Sequence, residues 1–215
     1  TLRLLTALEA GGIVEQDRQS RGYHLGPAVL RLARLREASF PLARVAEAIL
    51  RDLCAATGET ALASAISGAL LVNIGMVESR SANRIILEPG GTLPFHATAS
   101  GLAWLAFADD ARREEVLRGP LPRFTPATVT DPALLRALLR DIRRDGIARV
   151  DGTFEAEVVG LAAPWFEPDG RVGGAVALAL PRSRAQAPHE SAVTAELRKA
   201  ARRLTEARGG SGPAG

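Results

Sequence analysis

Residues 93–107, LPFHATASGLAWLAF, constrain this chain more than any other stretch. Pro94 sets the backbone just ahead of a helix. From Ala97 on every residue is apolar or small, and no charge appears before Asp109. A helix that is apolar on nearly every side has to be buried. Its predicted first turn, Ala97, Thr98, Ala99, Ser100 and Gly101, is too small to fill space. Two arrangements suit such a turn: close packing against a sheet, or backbone N–H groups left open to a carboxylate or other anion. His96 stands beside the turn, either as a structural ring or as a ligand contact.

The rest of the composition narrows the class. With 215 residues, 47% of them hydrophobic and 24% charged, the chain is long enough for one or two domains with a proper core. No apolar run approaches the ~18 residues of a membrane span, and no basic-then-apolar signal segment opens the chain. A single cysteine, Cys54, excludes an internal disulfide. These features predict a cytoplasmic protein with no membrane partner. The net charge is only +3, and of 27 basic residues only Lys199 is a lysine. Placement of charge says more than the total. Residues 1–36 hold Arg3, Arg18, Arg21, Arg31, Arg34 and Arg36 against Glu9, Glu15 and Asp17. A local basic patch of this kind suits phosphate contact.

In order, residues 1–10 read as a helix with Leu2, Leu5 and Leu8 at helical spacing and Leu4 widening the stripe. Gly11 and Gly12 cap it. Residues 13–16 and 23–25 read as two strands around a polar turn at 17–22. A helix followed by a small basic-tipped hairpin is a winged-helix pattern, although an ordinary αββ fragment has the same signature. Gly26 and Pro27 open a second helix, interrupted at 39–41, and residues 42–57 form a third with Leu42, Val45, Ala46, Ile49, Leu50 and Leu53 on one face. Strands are predicted at 59–67, 70–78 and 84–88, then the buried helix, a charged helix over 109–119 and a loop over 120–130. Thr130 or Asp131 caps the next helix, whose stripe is Leu134, Leu135, Leu138, Leu139 and Ile142. Strands follow at 147–150, 158–166 and 172–180. The last two are apolar on both faces and so central to a sheet covered by helices. A closing helix spans 190–207. The prediction is an α+β chain with a largely antiparallel sheet flanked by helices, divided as 1–26, a linker helix 27–41, a larger domain 42–208 and a flexible tail 209–215.

Several chemistries lack their residues. His24, His96 and His189 are not at ligand spacing, so no metal or other cofactor is expected. No G-x-S-x-G elbow surrounds Ser100, and no Gly-rich nucleotide loop appears. Glu155 and Glu157 are two apart, a spacing that suits solvated carboxylates more than an acid–base pair. A hydrolase or isomerase built on His96 and a carboxylate has no nucleophile beside a base, and the chain is read as non-enzymatic.

Four stretches together resemble the IclR family of bacterial transcriptional regulators: RLLTALEAGGIVEQDRQSRGYHLG (3–26), LCAATGETA (53–61), LPFHATASGLAWLA (93–106) and GLAAPWFEPDGRVGGAVALALP (160–181). The resemblance implies a winged helix-turn-helix, here represented by recognition helix and wing, a linker helix and a GAF/profilin-like effector domain. It also implies homodimers or dimers of dimers on double-stranded DNA, with binding adjusted by a small organic acid or aromatic compound. Thr1 and Arg3 match the exposed side of the recognition helix; Arg18, Arg21 and Tyr23 fall in the wing. The effector pocket is implied near Leu93, Ala99 and Ser100, near Val150, at Gly160, and at Ala177 and Ala179, with His96 and Gly101 beside it. This chain departs from the family's pattern: Val150 replaces Asp, Gly160 replaces Cys, Ala177 and Ala179 replace two Ser, and Leu102 replaces Lys. These changes remove hydrogen-bonding groups, so the expected effector is larger and more apolar, such as an aromatic acid held by the amides of residues 99–101. The expected function is a regulator whose DNA affinity responds to that effector. The alternative is a ligand-binding module that does not bind DNA in the form given, since no helix precedes the recognition helix.

Overall fold

The computed structural model describes residues 2–17, 19–39, 42–81 and 91–213. The chain divides into two compact units, Thr1–Ala43 and Arg44–Gly215.

In the first unit, α1 (Leu2–Ala10) leads into a two-stranded antiparallel hairpin of β1 (Val14–Gln16) and β2 (Tyr23–Leu25), with Val14 opposite Leu25. Gly12, at φ +67°, ends α1, and the Ile13 amide donates back to the Leu8 carbonyl at 2.9 Å. This is the left-handed C-terminal cap expected of the Gly pair. Leu5 and Leu8 are half-buried, whereas Leu4 is 64% exposed and does not widen the buried stripe. Helix α2 (Ala28–Ser39) follows, with Leu30, Leu32 and Leu35 exposed.

Among the described residues, the second unit is built on a five-stranded, wholly antiparallel sheet. With β3 (Thr60–Ser67), β4 (Leu70–Val77), β5 (Ala148–Asp151), β6 (Val158–Phe166) and β7 (Val172–Pro181), the order is β4-β3-β7-β6-β5. The two most apolar strands, β6 and β7, are adjacent and internal, because burial on both faces excludes water from their side chains. Alternation along β7 sends Ala175 and Ala177 to one face and Val176, Leu178 and Leu180 to the other. On the alanine face lies α4 (Ala99–Phe107), joined there by α6 (Pro132–Asp145). Helix α7 (Ala187–Ala207) also packs on β6 and β7, through Val193, Leu197 and Leu204. The unit also contains α3 (Leu42–Thr57) from Arg44 on, which buries Ala46, Ile49, Leu50 and Leu53, and the surface helix α5 (Asp110–Arg118). Buried Glu59, at the start of β3, is bonded by Arg184 at 2.8 and 2.5 Å and by His189 at 3.0 Å, tying that strand to the entry of α7.

Four further expectations shift. The buried helix begins at Ala99 rather than Ala97, because Thr98 is extended (φ −108°, ψ 151°) and acts as its N-cap. Leu134 is 60% exposed, since the line Leu135, Leu139 and Ile142 faces the core and Leu134 lies to its side. Helix α7 starts at Ala187, with Pro188 in its first turn. Past α7, the Gly210 amide donates to the Thr205 carbonyl at 2.9 Å, so the tail is hydrogen-bonded at its start. The strand expected over 84–88 lies outside the described residues.

Candidate functional site

The site starts from the way Thr98 caps α4. Its Oγ1 accepts the Gly101 N–H at 3.0 Å and donates to the Pro94 carbonyl at 2.9 Å, while its own carbonyl takes the Leu102 N–H at 3.0 Å. Two first-turn amides remain without a protein acceptor among the described residues, those of Ala99 and Ser100. The Ser100 hydroxyl also has no partner among the described residues, although the residue is only 5% exposed. Unpaired donors are costly to bury, so three of them at one helix end mark a place prepared for an acceptor.

Opposite this helix end the sheet is lined by residues too small to reach it. Register places Gly160 between Val150 and Ala179, and Ala177 beside Leu62. A Cβ on Gly160 would lie 3.1 Å from the Ala99 Cβ and 3.9 Å from its amide nitrogen. The result is a hollow of about 70 Å³, several times the ~10–15 Å³ that one water requires. Its wall on one side is the β5–β6 loop. Thr153 Oγ1 donates to the Ala97 carbonyl at 2.6 Å, Thr125 Oγ1 to Gly152 O at 2.6 Å and Thr128 Oγ1 to Thr153 O at 2.6 Å. The Phe124 and Phe154 rings meet edge-on at 5.0 Å. These ties hold Phe154 and Glu155 at the hollow.

Of the residues expected there, Leu93, Ala99, Ser100, Val150, Gly160, Ala177 and Ala179 line this one cavity. His96 and Gly101 do not. The buried His96 ring is hydrogen-bonded through Nε2 to the Pro122 carbonyl at 2.9 Å and lies tilted against the Phe124 ring, with centroids 5.9 Å apart. Gly101 is a close-approach residue: a Cβ there would fall 2.5 Å from Phe95 and Pro94 backbone atoms. The expected cradle of amides over residues 99–101 reduces to two, because Thr98 occupies the Gly101 N–H. Sequence reasoning missed Leu62, Phe154, Glu155, Val158 and Leu178 in the lining. Leu62 carried no local signal of it, since strand register decides its position.

Glu155 is half-buried in a turn, not on a strand with Glu157, which is exposed. Burial pushes its carboxyl above the ordinary value. The folded protein therefore holds that proton to higher pH than the unfolded chain, and stability falls as pH rises from the unfolded value of about 4.3 through the folded one. Glu155→Gln should raise Tm near neutral pH and leave it unchanged below pH ~4. Calorimetry giving no rise at neutral pH would refute this assignment.

Among the described residues, no group of three His, Cys, Asp or Glu is placed to hold a metal ion, and no helix is long and apolar enough to cross a membrane. In the first unit, Arg3 and Arg21 are exposed and Tyr23 is 37% exposed. Thr1 and Arg18 lie outside the described residues. The hairpin tip is closed by Asp17, whose Oδ1 accepts the Gln19 N–H at 2.9 Å and the Ser20 N–H at 2.6 Å. Those bonds, Ser20 first, hold its carboxyl below the usual range. Arg21 follows at φ +60°, a left-handed conformation rare for arginine.

The family model for the bacterial transcriptional regulator IclR C-terminal domain matches residues 37–206. The HTH-type transcriptional regulator BhcR of Paracoccus denitrificans is 31% identical over 204 residues, covering 94% of this chain and 73% of the relative. The HTH-type transcriptional repressor AllR of Escherichia coli K12 is 31% identical over 188 residues, covering 86% and 68%. Among solved structures, an IclR-type regulator from Silicibacter sp. TM1040 matches with a TM-score of 0.94 and 44% identity over 99% of this chain and 84% of that one. An IclR homologue from Microbacterium hydrocarbonoxydans, solved in complex with 4-hydroxybenzoate, matches with a TM-score of 0.78 and 30% identity over 97% and 85%. A strand-backed hollow at the start of a buried helix, a hairpin-bearing first unit and these matches across nearly the full length converge: the chain belongs to the IclR family of transcriptional regulators, and its second unit has the fold of their C-terminal effector domain.

Proposed function

We propose that this regulator binds double-stranded operator DNA as a homodimer or dimer of dimers, and that an organic acid with an apolar body, held in the hollow at the start of α4, alters that binding. The observation that carries the reading is the set of three donors without a partner among the described residues, the amides of Ala99 and Ser100 and the Ser100 hydroxyl, at a largely apolar cavity. A carboxylate satisfies such donors at a helix N-terminus. The body of the acid lies against Leu62, Leu93, Val150 and the alanines of β7. Those walls offer little to a small polar acid, and the homologue complexed with 4-hydroxybenzoate supports an aromatic one. Relatives named as regulators and repressors support a non-enzymatic role. The acid acts by binding one arrangement of the oligomer better than another, which shifts their populations and with them the DNA affinity.

Calorimetric titration of the full chain tests the ligand side: benzoate and hydroxybenzoates should bind, and glyoxylate and pyruvate should bind far more weakly. The reverse order would overturn the apolar-acid reading. Anisotropy titrations on DNA from upstream of its own gene test the other side. Arg3→Ala and Arg21→Ala should each weaken binding to every sequence and reduce the salt slope by about 1. Identical DNA-binding curves with and without every acid that binds would remove the regulatory link.

A further inference from the structure

We propose that Glu155 selects the effector of this site: the favoured acid carries, besides its carboxylate, a hydrogen-bond donor, either a hydroxyl or an amine, that the Glu155 carboxyl accepts. The inference rests on the reading of the hollow as an acid-binding site and adds a second polar pole to it.

Three observations carry it. The first is the polar inventory of the cavity. Its polar side chains are Thr98, Ser100 and Glu155. Thr98 is occupied twice over by the helix cap. Ser100 belongs to the donor pole at the start of α4. Glu155 is thus the one side chain in the lining that can only accept while ionised. The second is that its carboxyl has no hydrogen-bond or ion-pair partner among the described residues. The third is that Glu155 is held in place. The Val158 amide donates to its carbonyl at 3.1 Å and the Gly152 amide to Val158 O at 2.8 Å, closing the turn. The bond from Thr153 to Ala97 O then fastens this turn to the segment that enters α4. A half-buried carboxyl with unmet hydrogen-bonding capacity, carried on a backbone held by these bonds, meets whatever enters the hollow. Its raised proton affinity reflects hydration lost and not replaced.

The consequence is selectivity by penalty. An acid without a donor buries the Glu155 carboxyl further and leaves it unpaired, and it also brings a second negative charge beside the first. An acid with a donor restores the missing bond. Sites built to pair a polar group reject analogues lacking it far more strongly than apolar walls reject a change of size.

The experiment is calorimetric titration of the full chain and of its Glu155→Ala and Glu155→Gln variants with benzoate, meta- and para-hydroxybenzoate, and meta- and para-(aminomethyl)benzoate. In the parent protein at least one donor-bearing acid should bind tenfold or more tighter than benzoate, about 1.4 kcal/mol. Glu155→Ala should erase that advantage while benzoate binds as well as before or better. Glu155→Gln should keep the advantage of a hydroxyl, which the amide oxygen still accepts, and lose that of an ammonium, which needs the charge. Equal affinity for benzoate and the donor-bearing acids, or an equal loss for all of them in Glu155→Ala, would overturn the role of Glu155 and leave the acid site standing. Failure of every acid to bind the parent protein below about 1 mM would overturn the acid site itself, and this inference with it.

Discussion

Replacing Gly160 with valine is expected to weaken the binding of aromatic acids by at least about 100-fold, close to 2.7 kcal/mol. The glycine stands where register brings β6 directly beneath the first residue of α4. A Cβ alone would sit 3.0 Å from Val150 Cγ2 and 3.1 Å from Ala99 Cβ, a contact that needs a few tenths of an ångström of give. The two further methyls of valine stand in the hollow, between the apolar walls and the free amides. Over-packing of this kind costs roughly 1–3 kcal/mol of stability, so circular dichroism and a thermal melt must accompany the titration to show that the variant is folded. A folded Gly160→Val protein that binds benzoate or hydroxybenzoate as the parent does would place the acid elsewhere. Gly160→Ala provides the graded control, with an intermediate loss of affinity.

The largest effect on the fold itself is expected at Trp165. This side chain is 1% exposed, and its indole N–H donates to the Ser64 carbonyl at 2.9 Å, joining β6 to β3 across the intervening β7. The two glycines of β7 exist for it. A Cβ on Gly173 would fall 2.2 Å from the indole ring, and one on Gly174 would fall 1.9 Å from the Ser64 oxygen. Trp165→Ala removes the ring, leaves a void that this backbone cannot collapse to fill, and strips a buried carbonyl of its donor. Urea denaturation should show a loss of about 3–5 kcal/mol, read as a lower midpoint at unchanged m. A loss below about 1 kcal/mol would mean that the sheet repacks around the gap, contrary to the close fit of the glycines.

Much of this architecture is legible in the residues. The unbroken apolar run of α4 requires burial, and apolarity on both faces of β6 and β7 requires a central place in the sheet. Gly12, Gly58 and Gly146 take the left-handed φ that ends a helix. Boundaries were less legible. Thr98 is as acceptable inside a short apolar helix as ahead of one, and only its extended backbone and its bond to Gly101 make it the cap. His96 illustrates a different limit. A histidine beside small residues reads equally as ligand contact or as prop, and the Pro122 carbonyl, which comes from a distant loop, makes it a prop.

The reading of Glu155 and Glu157 as two solvated carboxylates holds for Glu157 and not for Glu155. On a strand, residues two apart would share one face and one degree of burial. The chain instead turns through residues 152–157, which separates a half-buried Glu155 from an exposed Glu157.

By itself the order of residues determined the elements, their sequence along the chain and the apolar faces that must meet, because helical and strand periodicities are local properties of the backbone. It also determined that little but small side chains would surround Ser100. Whether that smallness becomes solid packing or an open space was decided only in three dimensions. It depends on register between strands far apart in sequence, which sets Gly160, Ala177 and Ala179 in one patch. It depends equally on threonine bonds from residues 125, 128 and 153, which hold the wall bearing Glu155. Such long-range pairings leave no period in the sequence, since each joins residues whose separation along the chain is set by everything folded between them.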